Sequence, residues 1–98
     1  MEQIRINPEN LEQAANMLKA MAHPIRILII DCLQDGKEHS VTEIHKKLEI
    51  EQSVTSHHLG ILKDKGILSS KRTGKNTYYF LKHYNIRSLI ECINGCCG

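Results

Sequence analysis

The sequence contains very few aromatic residues, with no Trp, one Phe and three Tyr among 98 residues. Aliphatic side chains must therefore fill the core, which we expect to be thin because small domains bury a smaller share of their surface. Long apolar runs are also missing. The longest purely aliphatic run is Ile27 to Ile30, whereas a membrane span needs about 20 apolar residues. No signal-peptide pattern opens the chain, so we expect a cytoplasmic protein.

Internal repeats and low-complexity tracts are absent as well. A chain of 98 residues predicts a single domain over 1–98. Four cysteines are present. In a cytoplasmic protein these are expected to be free thiols, metal ligands or redox sensors rather than structural disulfides.

Positive charge is concentrated in one segment, although the net charge of the chain is only +2. Residues 63–82 contain a single acid, Asp64, and six cations, which gives this segment a charge of +5. The cations are Lys63, Lys65, Lys71, Arg72, Lys75 and Lys82. A local basic surface on a nearly neutral protein indicates a nucleic-acid-binding face. The alternative is a solvated, Lys-rich surface.

Capping signals and apolar spacing predict helices at both ends of the chain. Asn7 and Pro8 are typical of a helix start, and His23-Pro24 opens a second helix, the most apolar one and the expected centre of the core. The last helix is predicted over about 85–94, with Gly95 ending it. Residues 96–98 are then a flexible tail that contains two cysteines.

The segment from Ser40 to Leu81 predicts two short helices followed by a two-stranded hairpin. Ser40-Val41-Thr42-Glu43 fits a capping box at the start of a third helix. A fourth helix is expected from Gln52 to about Lys65, and two strands, 67–72 and 77–81, flank a turn at 73–76. A helix with short hydrogen-bonding side chains beside a cationic ribbon is a winged helix-turn-helix. The expected fold class is mainly α with a small two-stranded β-hairpin, and five helices.

With these elements, the chain strongly resembles the arsenic-repressor (ArsR/SmtB) family of bacterial transcription repressors. Three motifs carry the resemblance, in the family's order and over nearly the whole chain. They are Met21-Ala22-His23-Pro24-Ile25-Arg26, the helix from Gln52 to Gly66 with its Ser-His-His-Leu core, and the wing from Gly66-Ile67-Leu68 to Tyr78-Tyr79-Phe80-Leu81.

The resemblance implies a homodimer that binds an inverted-repeat DNA operator, with repression relieved or altered by a small inducer. Residues 1–20 and 83–95 would form the dimer, 40–66 the helix-turn-helix and 67–82 the wing. The apolar stripes of the first and last helices agree with this arrangement. The expected interface residues are Leu11, Ala14, Ala15, Leu18, Ile86, Leu89, Ile90 and Ile93. A two-fold dimer places the fourth helices of its two subunits roughly one DNA turn apart.

The fourth helix and the wing supply the expected DNA contacts. Short polar side chains reach base edges in the major groove, while cations suit phosphates. The predicted DNA-binding residues are Gln52, Ser53, Thr55, Ser56 and His57 for the groove, Lys63 at the helix end, and Lys71, Arg72 and Lys75 on the wing. His57 has a plainer interpretation as an exposed histidine, and His58 is expected to pack inward. Gly60 departs from the family, which often has a longer basic side chain there.

The inducer is left open by the sequence. One common metal site of the family uses cysteines at the start of the third helix, where this chain has Ser40 and Thr42. A second common site uses carboxylate and His ligands from the last helices, and His83 and Asn85 match its ligands poorly. Cys92, Cys96 and Cys97 remain, and converging thiolates of this kind suit As(III) or another thiophilic metal ion. The alternative is a cysteine-containing tail without a ligand, in a family member that is regulated otherwise.

Cys32 lies on the apolar stripe of the second helix, where a free cysteine is commonly a small buried hydrophobe. The sharper hypothesis pairs Cys32 with a cysteine of the last helix. Some members of the family sense sulfur species with one cysteine in each of these helices, so the pair would form a thiol redox or persulfide switch.

Other classes of function fit the sequence less well. Ser56 and His57 are adjacent in the chain, and adjacent helical residues do not face each other as a nucleophile and its base must. No glycine-rich phosphate loop is present either, so we do not expect an enzyme. A winged helix that binds protein instead of DNA usually lacks the basic wing found here.

Overall fold

The first helical segment begins where the sequence predicts it. The Asn7 side chain accepts a hydrogen bond from the Glu9 amide, and a 3₁₀ turn over Pro8–Asn10 leads into the first helix. In the computed structural model, which describes residues 5–97, five α-helices and three strands follow one another. They are α1 (Leu11–Met21), α2 (Pro24–Cys32), β1 (His39–Ser40), α3 (Val41–Leu48), α4 (Gln52–Asp64), β2 (Leu68–Thr73), β3 (Asn76–Leu81) and α5 (Ile86–Cys97).

Helix α2 supplies the centre of the core, as its apolar sequence predicts. Ile29, Ile30 and the following Leu33 are completely buried. Among the described residues, five further aliphatic side chains are at most 1% exposed, namely Ile44, Leu59, Leu62, Ile67 and Leu68. Burying one such side chain stabilises the fold by about 1.5–3 kcal/mol. The core is therefore aliphatic, which confirms the expectation drawn from the scarcity of aromatic residues.

The predicted capping box at the start of α3 is confirmed. The Ser40 hydroxyl accepts a hydrogen bond from the Glu43 amide at 3.1 Å, and the Glu43 carboxylate accepts one from the Ser40 amide at 3.2 Å. Helix α3 ends at Leu48, and the following Glu49 adopts a left-handed conformation with φ 58°. This turn redirects the chain into α4, and Gly66, with φ 79°, follows the end of α4.

The wing is the predicted antiparallel hairpin with one additional strand. Strands β2 and β3 pair with Lys71 opposite Tyr78 and Arg72 opposite Thr77. The missed element is β1, in which His39 and Ser40 pair with Tyr79 and Tyr78. Two residues are too few for an alternating pattern to appear in a sequence. The short strand fixes the start of α3 against strand β3 of the wing.

The predicted end of the last helix is wrong. Helix α5 continues through Gly95 to Cys97, so Cys96 and Cys97 are helical and do not form a flexible tail. Glycine ends a helix when it adopts a left-handed conformation, and Gly95 is not among the glycines with positive φ. Gly98 of the predicted tail, and residues 1–4 of the predicted dimer segment, lie outside the described residues.

Two residues predicted for the subunit interface are buried within this chain. Ile86 and Ile90 are only 7% and 4% exposed, and both join the central apolar cluster. Helix α5 packs on α2, and a sequence stripe does not distinguish a helix of the same chain from one of a partner. Leu11 and Leu18, by contrast, remain 51% and 55% exposed.

Within residues 5–97, no helix combines the length and the apolar character that crossing a membrane requires.

Candidate nucleic-acid interface

The outer side of α4 carries a continuous polar surface. Gln52, Ser53, Ser56 and His57 are all exposed, and their spacing places them on one side of the first two turns of the helix. Glu51, which precedes the helix, provides no side-chain cap. The first amides of α4 therefore keep their hydrogen-bonding capacity, and the positive end of the helix dipole is open to an anionic ligand.

Thr55 is not part of this surface, so its predicted contact with the DNA groove is wrong. The side chain is completely buried. Its hydroxyl donates a hydrogen bond to the Glu51 carbonyl oxygen at 3.0 Å. Position 55 lies one helical turn before the buried Leu59, which places it on the inner side of α4.

The wing presents its cations to solvent. Lys71, Arg72 and Lys75 are all exposed. Lys71 and Arg72 are consecutive residues of β2, and consecutive side chains of a strand project to opposite faces. Lys75 occupies the turn between the strands, after Gly74 with its φ of 64°. The ribbon thus has positive charge on both faces and at its tip.

A pocket of about 200 Å³ connects the helix-turn-helix with the wing. Its lining comes from three places, the N-terminus of α3, the first residue of α4 and the tip of the wing. The lining residues are Ser40, Val41, Thr42, Gln52, Lys75, Asn76 and Thr77. A helix N-terminus with a nearby lysine is suited to a phosphate group. Thr42, Asn76 and Thr77 were missed in the sequence because they gain this role only through the fold.

Lys63 is not brought together with these groups. It is exposed near the C-terminal end of α4. Eleven residues separate it from Gln52, or roughly 16 Å along a helix. A phosphate contacted by Lys63 is therefore a different one from any that lies near Lys75.

Behind the exposed side of α4, a buried polar contact fixes the helix to its neighbours. His58 is 7% exposed, as predicted, and its Nδ1 accepts a hydrogen bond from Arg26 Nε at 3.1 Å. Arg26 Nη1 donates to the Ala20 carbonyl oxygen at 3.0 Å. One guanidinium thus connects the end of α1 with α4, which the sequence did not indicate.

His58 accepts from Arg26 only while its ring is neutral. Burial is the main reason that the pKa of His58 lies below its ordinary value, and the charges of His23, Arg26 and His57 lower the pKa further. The His23 ring lies 4.6 Å from that of His58, centroid to centroid. The surroundings of His58 therefore favour the form that keeps the Arg26 contact.

The three thiols of α5 do not converge, contrary to the prediction. Cys92, Cys96 and Cys97 are exposed, and in a continuous helix Cys97 is rotated about 140° away from Cys92. Only Cys92 and Cys96, four residues apart, share a side of the helix. Among residues 5–97, no group of three or more His, Cys, Asp or Glu is close enough together to hold a metal ion.

Cys32 is buried on α2, as expected. Burial raises the pKa of its thiol above the ordinary value, and Asp35 and Asp31 add to that effect against the opposing charge of Lys47. The thiolate is the reactive form of cysteine. Cys32 is therefore less nucleophilic at neutral pH than an ordinary exposed cysteine.

Comparison with known proteins identifies relatives for this arrangement. The sequence profile described as "Bacterial regulatory protein, arsR family" matches residues 23–70, which contain α2 to α4 and the start of β2. A biofilm growth-associated repressor from Agrobacterium fabrum is 37% identical over 83% of this chain and 68% of its own length. The transcriptional repressor PagR from Bacillus anthracis is 34% identical over 92% of this chain and 90% of its own length.

Solved structures share the fold. The crystal structure of PagR superposes with a TM-score of 0.80 at 34% identity, covering 90% of this chain and all of that one. The winged helix-turn-helix DNA-binding domain of Mb0332 from Mycobacterium bovis, described as homodimeric, gives a TM-score of 0.79 at 26% identity and covers 96% and 86% of the two chains. These matches are regulators of transcription and not enzymes.

Proposed function

This chain belongs to the arsR family of bacterial regulatory proteins, and from that membership we propose that it represses transcription by binding an inverted-repeat operator as a homodimer. One observation carries the proposal. The pocket between α3, α4 and the wing contains both Gln52 of the reading helix and Lys75 of the basic turn. A base-reading surface and a phosphate-binding surface therefore meet along one side of the molecule.

The groove contacts are assigned to Gln52, Ser53, Ser56 and His57. Their side chains are exposed on α4, and hydroxyl, amide and imidazole groups can donate to or accept from base edges. The wing cations and Lys63 bind phosphates. Thr42 joins them from the first turn of α3, because it lines the pocket that contains Lys75.

The homodimer is assigned to α1 and α5. An apolar groove of about 210 Å³ lies between α1, α2 and α5, lined by Leu18, Met21, Ala22, Ile27, Ile30, Leu89, Ile90 and Ile93. Leu18 at its edge is 55% exposed. A partner's α1 and α5 would cover this groove and separate the two α4 helices by roughly one DNA turn, or about 34 Å.

The test of base reading is a double substitution on α4. Ser56→Ala with His57→Ala is expected to lower the ratio of operator affinity to scrambled-duplex affinity about tenfold or more, since a good base contact contributes roughly 1–3 kcal/mol of discrimination. Affinity for the scrambled duplex is expected to stay the same. The measurement is a gel shift with the DNA upstream of the protein's own gene and with a scrambled version of it.

The matched control replaces an exposed serine and an exposed histidine outside α4, with Ser88→Ala and His83→Ala. This variant is expected to discriminate like the parent protein. Equal discrimination by all three proteins would contradict base reading by α4.

The effector in this proposal is a thiol-reactive agent that acts on α5. Cys92 and Cys96 are exposed and four residues apart on this helix, so an ion or an oxidant can reach both at once. One chain presents two thiols on that side, fewer than the three that a trivalent arsenic ion takes. Thiol oxidation or a persulfide is therefore favoured over arsenite within a single chain, and Cys32 has at most a secondary role because of its burial.

The test of this effector follows the release of the reduced protein from DNA. The complex is titrated separately with arsenite, cadmium, zinc and a persulfide donor. Cys92→Ser with Cys96→Ser is expected to abolish any release from DNA, because both reactive thiols are removed. Cys97→Ser removes an exposed thiol on a different side of the helix and is expected to keep the response. If no reagent changes DNA binding, and a variant with all four cysteines changed to serine behaves like the parent, thiol sensing is excluded.

A further inference from the structure

A second polar pocket includes Arg26 in its lining and shares no residue with the pocket beside the wing. Its volume is about 260 Å³, and its lining comes from α1, α2 and the C-terminal end of α4. The lining residues are Asn16, Lys19, Ala20, Arg26, Ile61 and Lys65. Three of the six side chains are cationic, and none is acidic.

The cations of this pocket do not form ion pairs within the described part of the chain. Among residues 5–97, the ion pairs present are the two that His39 forms with Asp35 and Glu43. Lys19, Arg26 and Lys65 thus have no carboxylate partner within the described part of the chain. Three cations around one concavity create a positive potential that concentrates anions there.

The guanidinium of Arg26 is already held in place for a ligand. Its Nε donates to His58 Nδ1 and its Nη1 to the Ala20 carbonyl oxygen. Neither of these hydrogen bonds uses Nη2. A planar guanidinium that is fixed before binding loses less conformational freedom when it binds a carboxylate or phosphate group.

We propose that this pocket between α1, α2 and α4 binds the carboxylate or phosphate group of a small metabolite, with Lys19, Arg26 and Lys65 as its cationic partners. The Asn16 amide offers one further hydrogen bond. Ala20 and Ile61 provide an apolar floor for the carbon skeleton of the ligand. The volume suits a molecule smaller than a typical drug-sized ligand.

Occupation of the pocket acts on α4 through Arg26. An anion bound at Nη2 places negative charge beside the fixed guanidinium, and so changes the strength of its hydrogen bond with His58. This consequence for DNA binding rests on the proposed function of α4, whereas anion binding itself does not.

The binding experiment uses the full chain without DNA. Potassium phosphate and potassium acetate are titrated in at constant ionic strength, set with potassium chloride, while backbone amide NMR signals are followed. Shifts are expected in residues 16–20, 26 and 61–65. Lys19→Gln with Lys65→Gln is expected to weaken phosphate binding at least tenfold, because two of the three cations are lost.

Two further variants make the result specific. Lys46→Gln with Lys47→Gln removes the same charge from the last turn of α3 and is expected to change phosphate affinity less than twofold. Asn16→Asp places a carboxylate inside the pocket and is expected to abolish phosphate binding. Shifts spread over the whole basic surface, or equal affinity in the two lysine pairs, would overturn the proposal.

A DNA titration identifies the source of the anionic group. For a small-molecule site, the Lys19 and Lys65 variant keeps the parent's salt dependence of DNA binding, and phosphate changes the operator affinity of the parent only. If the variant instead loses salt dependence, the pocket binds a DNA phosphate and the metabolite assignment is wrong. A chain that binds phosphate in this pocket but no operator would refute the proposed function and leave the anion site standing.

Discussion

Replacing Lys71, Arg72 and Lys75 together with glutamine is expected to weaken binding of the homodimer to every DNA duplex by roughly five orders of magnitude at 0.1 M salt. Each phosphate contact contributes about 0.9 to the slope of log affinity against log salt concentration. The homodimer has two wings and loses six contacts in all, which removes about 5.4 from the slope, or roughly five decades of affinity at 0.1 M salt. Gel shifts or fluorescence anisotropy over a series of salt concentrations measure both quantities.

The loss is expected to be the same for operator and scrambled duplexes, because phosphates carry no sequence information. The charge-matched control changes Lys37, Lys46 and Lys47, which lie before β1 and in the last turn of α3. That variant is expected to retain most of the slope. Identical salt dependence for the wing variant and the parent would exclude a wing contact with the backbone.

The second large effect is expected at the subunit interface. Leu18→Lys places a charge at the edge of the apolar groove between α1, α2 and α5, where a desolvated and unpaired ammonium is costly. The variant is expected to be monomeric at micromolar concentration and to bind a two-half-site operator about 10²–10⁴-fold more weakly, since linkage of two sites supplies a gain of that size. Sedimentation velocity and gel shifts on one-site and two-site duplexes provide the measurements.

Leu28 offers a matched control for this experiment. It is also an exposed leucine, at 46%, but it is not part of the groove lining. Leu28→Lys is expected to leave the dimer and its operator affinity intact. A Leu18→Lys protein that remains dimeric would remove α1 from the interface.

Most of the fold was predictable because its signals are local. Asn7 before Pro8, the Ser40 capping box and Gly66 after α4 each satisfy or terminate backbone hydrogen bonds within a few residues. The end of α5 was not predictable in this way. Gly95 can either end a helix or continue it, and the choice depends on a backbone conformation that the sequence does not specify.

The residues of the candidate site were likewise predictable only where the signal is local. The exposure of Ser56 and His57 follows from helical spacing around the buried Leu59. Thr55 does not follow the rule that polar side chains of a helix face solvent. A polar side chain can be buried at low cost when its hydroxyl donates to a backbone carbonyl oxygen one turn earlier. The role of Arg26 requires residues 20 and 58 to be neighbours, and nothing local in the sequence indicates that.

The Arg26 contact also bears on how this chain can diverge. A single side chain holds both the carboxyl end of α1 and the ring beneath the surface of α4. A substitution at position 26 would therefore disturb the end of α1 and the packing of α4 in the same step. The exposed residues 52, 53, 56 and 57 can be substituted without disturbing the Arg26 contacts beneath them. We therefore expect changes in DNA specificity to arise at these four positions.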